Sequence, residues 1–194
     1  MMLKNLSRRY SEMASVKTTL KEKYNLSSYQ IAQLSFFCKT LGSEFSKILI
    51  MGVLFHNQLS YYFFSLLVML VLRSLMGGLH FYTYWKCLIS SILYLVCVIY
   101  FLPQIYIPLY IQLITLLAST WLCHHVGPVT SKYRSAVCQK NFKRNTNLAC
   151  KFIFLYVLLL YIIPENSFLI VGFWVIILHS LQLLVAKIYE KGDR

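Results

Sequence analysis

The chain has 194 residues, of which 58% are hydrophobic and only 13% charged, and its mean hydropathy is +0.61. A water-soluble domain carries about a quarter charged residues, so these charges cannot cover a globular surface and lipid becomes the expected solvent. Lys and Arg number 19 against 6 Asp and Glu, a net charge of +13. Because the basic residues fall in the gaps between apolar runs, they point to membrane topology rather than to nucleic acid.

Residues 1–25 read as an amphipathic helix, with Leu3, Leu6, Tyr10, Met13, Val16, Leu20 and Tyr24 on one stripe and Lys4, Arg8, Lys17 and Lys21 largely elsewhere. With no uninterrupted apolar core, the segment is not a secretory signal peptide. It is expected to lie in the headgroup region; the alternative is a helix packed on the rest of the protein. Residues 26–47 mix Ile31, Leu34, Phe36 and Phe37 with Lys39, Glu44 and Lys47, which suggests a second cytoplasmic or interfacial helix leading into the first span.

From Ile48 to Leu72 there is no Asp, Glu, Lys or Arg, about the length of one tilted span. His56-Asn57-Gln58 in its middle argues instead for a hairpin with arms near Leu41–Phe55 and Leu59–Leu75. Residues 87–131 also lack formal charge and are too long for one crossing; Pro103-Gln104 and Pro108 divide them into spans near Leu88–Leu102 and Ile105–Val126. A basic loop over 127–147 follows, then spans Leu148–Ile163 and Phe168–Ala186 around a Pro164-Glu165-Asn166 turn. The expected fold class is an all-α integral membrane protein with about six transmembrane helices and an amphipathic N-terminal helix. It forms one membrane-embedded domain over 1–194: an interfacial region 1–40, spans within 41–186 and a polar tail 187–194.

Basic residues mark cytoplasmic loops. Six spans with both termini inside leave external loops near 56–60, 103–106 and 164–167, and none of the 19 basic residues falls there. Reading 48–72 as one span would put the basic N-terminus opposite the basic 132–144 loop, so the charge pattern favours the hairpin. Five of the cysteines, at 38, 87, 123, 138 and 150, then lie on or near the cytoplasmic side, where thiols stay reduced. Cys97 lies deep in a span. No two cysteines form a CxxC pair.

The chain's polar chemistry gathers in one inner segment, from Arg73 through Gly77, Gly78 and His80 to Lys86 and Cys87. Adjacent glycines permit a sharp turn or a close backbone approach. A His that takes a thiol proton creates the thiolate nucleophile, so His80 and Cys87 are a candidate dyad. With six Cys and five His in the chain, a near pair also arises by chance; Cys123-His124-His125 is another. Taken alone, His80 reads as a turn histidine and Cys87 as a small apolar filler. A straight helix from 80 to 87 would hold the two about 10 Å apart, so a working dyad requires a bend between them. His124 and His125 have no third ligand at suitable spacing, and HExxH is absent, which argues against a metalloprotease. No cofactor and no metal are expected.

Arg73, Gly77, Gly78, His80 and Cys87 stand at the spacing of the accessory gene regulator protein B (AgrB) pattern, in which an Arg precedes Gly-Gly-x-His and a Cys follows seven residues after the His. The chain resembles that family over nearly its whole length: amphipathic N-terminus, order of spans, and a Pro followed by a basic loop, here Gly127-Pro128-Val129 and Lys132 to Arg144. The family commonly has Ala before that Pro, so Gly127 departs from the pattern. The resemblance implies a multi-pass membrane cysteine endopeptidase of Gram-positive quorum sensing, with Cys87 as nucleophile, His80 as general base, and Arg73, Gly77 and Gly78 in support. It implies an AgrD-like propeptide substrate with an acidic C-terminal tail. The tail is removed through an acyl-enzyme, and an internal Cys or Ser of the peptide closes a thiolactone or lactone. Lys132, Arg134, Lys140, Lys143 and Arg144 could hold the acidic tail, or could only fix topology and touch anionic lipid. Arg73 either snorkels to headgroups or pairs with Glu44. Membrane lipid and a homodimer complete the expected partners, with no nucleic acid. The rival reading is a non-catalytic membrane peptide-binding or transport protein. Neither repeated halves nor matched broken spans, which a transporter would favour, are apparent.

Overall fold

A computed structural model describes residues 27–78, 83–129 and 139–192. The helix expected over 1–25 lies outside those residues, as do His80, Lys132, Arg134 and Cys138. The chain divides into two units, Met1–Ile50 and Met51–Arg194.

The first unit holds most of helix α1 (Ser28–Leu54). Ser27 and Gln30 start it with a reciprocal cap: the Ser27 N–H donates to Gln30 Oε1 at 2.8 Å, and the Gln30 N–H donates to Ser27 Oγ at 3.2 Å. One turn apart on α1, Lys47 Nζ donates to Glu44 at 2.7 Å. Glu44 thus has a partner on its own helix.

Among the described residues, the second unit is a bundle of five long helices: α2 (Leu59–Met76), α3 (Tyr84–Val96, continued to Gln104), α4 (Leu109–Val126), α5 (Gln139–Ile162) and α6 (Ser167–Gly192). Five segments are long and apolar enough to cross a membrane, the first taking in the short turn before α2: His56–Met76, Tyr84–Gln104, Leu109–Val126, Asn141–Ile162 and Ser167–Tyr189, among the described residues. The protein is an all-α, multi-pass membrane protein. The first expected arm, Leu41–Phe55, is the second half of α1, where Glu44 and Lys47 leave a charge-free end of only Ile48–Leu54. The helix breaks where the polar trio stands, at Phe55, and a 3-10 turn over His56–Gln58 leads into α2.

Prolines set the other boundaries. Pro103 has no N–H to give and its ring crowds the carbonyl four residues back. The helix widens into a π turn over Cys97–Phe101, with the Leu102 N–H donating to the Cys97 carbonyl. The Gln104 side chain then satisfies the Tyr100 carbonyl at 2.7 Å. The following helix starts at Leu109 rather than at the expected Ile105, because Pro108 forces the preceding residue into extended backbone and its own carbonyl accepts from the N–H groups of Ile111 and Gln112. Asn166 caps α6 by accepting the Phe168 N–H at 2.9 Å. The second half of the expected 127–147 loop is the polar beginning of α5, and α6 runs through the expected tail to Gly192.

Helix α6 is the hub, packing against α2, α4 and the π turn of α3. Its fully buried Val175, Ile176 and Leu183 meet a core that includes Tyr62, Leu72, Leu95, Leu116 and Ile153. Two tyrosines lock onto it: Tyr94 OH donates to the Val175 carbonyl at 2.8 Å and Tyr156 OH to the Leu169 carbonyl at 2.7 Å. Gly172 lets Tyr156 come so close, since a Cβ there would collide with its hydroxyl. At one end of the bundle Tyr61 stacks on Phe168 at 4.7 Å; the other end carries the residues singled out by the sequence.

Candidate active site at the Cys87 end of the bundle

Helix α2 stops at Met76 because Gly77 turns to φ 78°, ψ −142°, with its N–H returning to the Arg73 carbonyl at 3.0 Å. Gly77 forms a β-bridge with Val129, whose N–H donates to the Met76 carbonyl at 2.9 Å. A Cβ on Gly77 would run into the Val129 carbonyl oxygen. Gly77 is therefore a close-approach glycine, and the approach ties the end of α2 to the segment after α4. The two sequence features noted separately, Gly-Gly after Arg73 and Gly-Pro-Val after the fourth helix, are one structural joint. Gly127 contributes with φ 68°, and the Phe142 ring of α5 fills the space its missing side chain leaves. The departure from Ala at this position has that physical basis. Phe142 brings the start of α5 to this same end, so the exposed Lys143 and Arg144 stand there too. Lys140 belongs to the first turn of α5.

Gly78, at φ 151°, is buried beside two side chains: a Cβ there would lie 3.6 Å from Arg73 Nε and 3.8 Å from His179 Cε1. Arg73 is half-buried in the last turn of α2. Helix α3 begins after the extended residue Thr83. Cys87 lies at the end of its first turn, with its N–H donating to the Thr83 carbonyl at 3.1 Å, and the residue is 9% exposed. Gly77, Gly78 and Thr83 are all non-helical, so no continuous helix runs from 77 to 90. The positive end of the α3 dipole lies at the thiol, and backbone N–H groups of the first turn have no partner further up the helix. On the same helix, Tyr94 fixes α3 to α6 two turns away.

The rival cysteine is placed differently. Cys123 is fully buried, with Sγ 3.7 Å from Ser180 Oγ of α6, whereas His124 and His125 are exposed. Consecutive helix positions diverge by about 100°, which turns Cys123 into the core and His124 outward. The His125 ring meets the Trp121 ring in a tilted contact, centroids 4.5 Å apart. Cys97 and Cys150 are half-buried, the latter pointing at the Thr120 carbonyl at 3.8 Å. Among the described residues no cluster of three or more His, Cys, Asp or Glu could hold a metal.

His179 is a member of this neighbourhood that the motif does not name. Its signal in the sequence is its isolation: it is the one ionisable side chain in the apolar run Ser167–Ala186, and an ionisable group within a span is a functional candidate by default.

No curated protein and no solved structure matches the chain. The family model described as Accessory gene regulator B matches residues 15–183. That match takes in both halves of the Gly77–Val129 joint, all five spans up to Leu183, and the whole Arg73–Cys87 segment, and the chain belongs to the Accessory gene regulator B family, which acts in quorum-sensing propeptide processing.

Proposed function

We propose that the protein is a membrane cysteine endopeptidase that removes the C-terminal tail of a quorum-sensing propeptide and promotes closure of the remaining peptide into a ring. The observation that carries this reading is the placement of Cys87: buried, in the first turn of α3, at the end of the bundle where the Gly77–Val129 joint lies. A buried thiol in that position is shielded from water.

In this reading His80 takes the proton of the Cys87 thiol. The thiolate attacks the carbonyl carbon joining the ring segment to the tail, and first-turn N–H groups of α3 receive the oxyanion. The intermediate collapses with cleavage of the C–N bond; the amine of the departing tail takes the proton from His80, leaving an acyl-thioester on Cys87. An internal Cys or Ser of the peptide then attacks that thioester, forming the thiolactone or lactone and returning the proton to the Cys87 sulfur. A thioester exchanging for another is near balance in bond energy, so water exclusion and proximity decide between ring and linear product. Lys143 and Arg144, with Lys132, Arg134 and Lys140, pair with the acidic tail. Arg73 supports the Gly78 turn.

Cys87→Ser should abolish tail removal from a co-expressed cognate propeptide while the protein still inserts into membranes. Cleavage at the normal rate by that variant would overturn the assignment.

A further inference from the structure

Both ring nitrogens of His179 are buried and without a hydrogen-bond partner, and the residue is 1% exposed. Buried polar groups are nearly always satisfied, and an imidazole left so in a membrane span carries a cost that a bound partner would remove. The position of the ring is specific. It adjoins Gly78 on one side, and the Arg73 side chain adjoins the same glycine. Tyr94 anchors α3 at Val175, one helical turn before His179 on α6. Cys87 and Tyr94 are seven residues apart and share a face of α3. Since α3 and α6 run in opposite directions, His179 sits between the Tyr94 anchor and the level of Cys87.

We propose that His179 is a substrate-binding residue of the Cys87 site: beside Gly78 and Arg73, its imidazole N–H donates to a backbone carbonyl of the peptide being processed. The proposal rests on the cysteine-endopeptidase reading above. A neutral imidazole offers one donor and one acceptor, which matches the carbonyl and N–H of a peptide unit. Gly78 puts no side chain between the ring and Arg73, and the Arg73 charge favours an oxygen there over any cationic group.

The test uses the full-length protein in proteoliposomes, with a C-terminally tagged propeptide as substrate and iodoacetamide as a small probe of the Cys87 thiol. His179→Phe keeps the ring and removes the N–H. The apparent KM for tail removal should rise about tenfold, the worth of one hydrogen bond, while alkylation of Cys87 proceeds at the wild-type rate. His179→Gln, which restores a donor, should recover most of the loss. If His179→Phe fails to insert, His179→Met serves in its place. A wild-type KM in the apolar variant overturns the proposal. A loss that His179→Gln does not restore, or one accompanied by slower alkylation, also overturns it, because it marks a packing role. Cys87→Ser run alongside separates the two levels: cleavage by that variant sinks the endopeptidase reading, whereas its inactivity together with an indifferent His179→Phe sinks only the role of His179.

Discussion

Gly77 and Gly78 are neighbours in the chain but serve different contacts. Gly77 lets two backbones meet, and its φ of 78° suits only glycine; Gly78 leaves space between two polar side chains. Gly77→Ala must therefore break the bridge to Val129 as well as strain the backbone. The expected loss is about 1–3 kcal/mol, seen as a fall in the thermal midpoint of the detergent-solubilised protein; an unchanged midpoint would mean that the joint carries no stability. The adjacency of two glycines already signals a turn or a close approach in the sequence. Their partners do not show there, because Val129 and His179 are brought in by packing across the bundle. Cys87 could be singled out by its spacing from His80, and yet chance alone supplies such pairs; what separates it from Cys123 is burial direction, which only the folded helices define.

At the scale of elements, α3 matters most, since its start presents the thiol and its interior fixes the rotation. The sequence requires a break between His80 and Cys87 if they are to meet, and the described backbone is non-helical at Gly77, Gly78 and Thr83. An alanine inserted between Leu88 and Ile89 would turn Cys87 by about 100° relative to Tyr94. Tail removal should be lost, while iodoacetamide still reaches the thiol. Unimpaired processing by the insertion variant would show that the register of α3 does not set the site. Boundaries were legible wherever a local residue enforces them, as at His56–Gln58 and Pro164–Asn166. They shifted where a longer-range consequence of proline intervenes: Pro108 delays α4 to Leu109. The start of α5 eluded a reading based on charge because Lys, Arg and Gln are good helix formers that hydropathy counts as loop.

Across the whole molecule, the all-α membrane fold was legible because charge-free runs and Lys/Arg gaps are strong one-dimensional signals. Large exposed aromatics gather at two levels: Trp85, Trp121 and Tyr189 at the Cys87 end, and Tyr106, Tyr110 and Tyr161 at the other. Aromatic side chains favour the two membrane–water interfaces, so these levels mark the depth of the bundle in lipid. We propose, from the distribution of the basic residues, that the Cys87 end faces the cytoplasm. A membrane-impermeant thiol reagent added outside intact cells should then miss Cys87 and Cys138, and strong labelling of either would reverse the orientation.

The central claim is that Cys87 forms a covalent acyl bond with the propeptide. Replacing the internal Cys or Ser of the propeptide with Ala removes the group that releases the acyl chain, so the intermediate should accumulate. Mass spectrometry of the protein after incubation with that peptide should find the tail-free segment attached to Cys87 as a hydroxylamine-sensitive thioester. Processing without an adduct at Cys87, or with the adduct on another residue such as Cys123, would contradict the account.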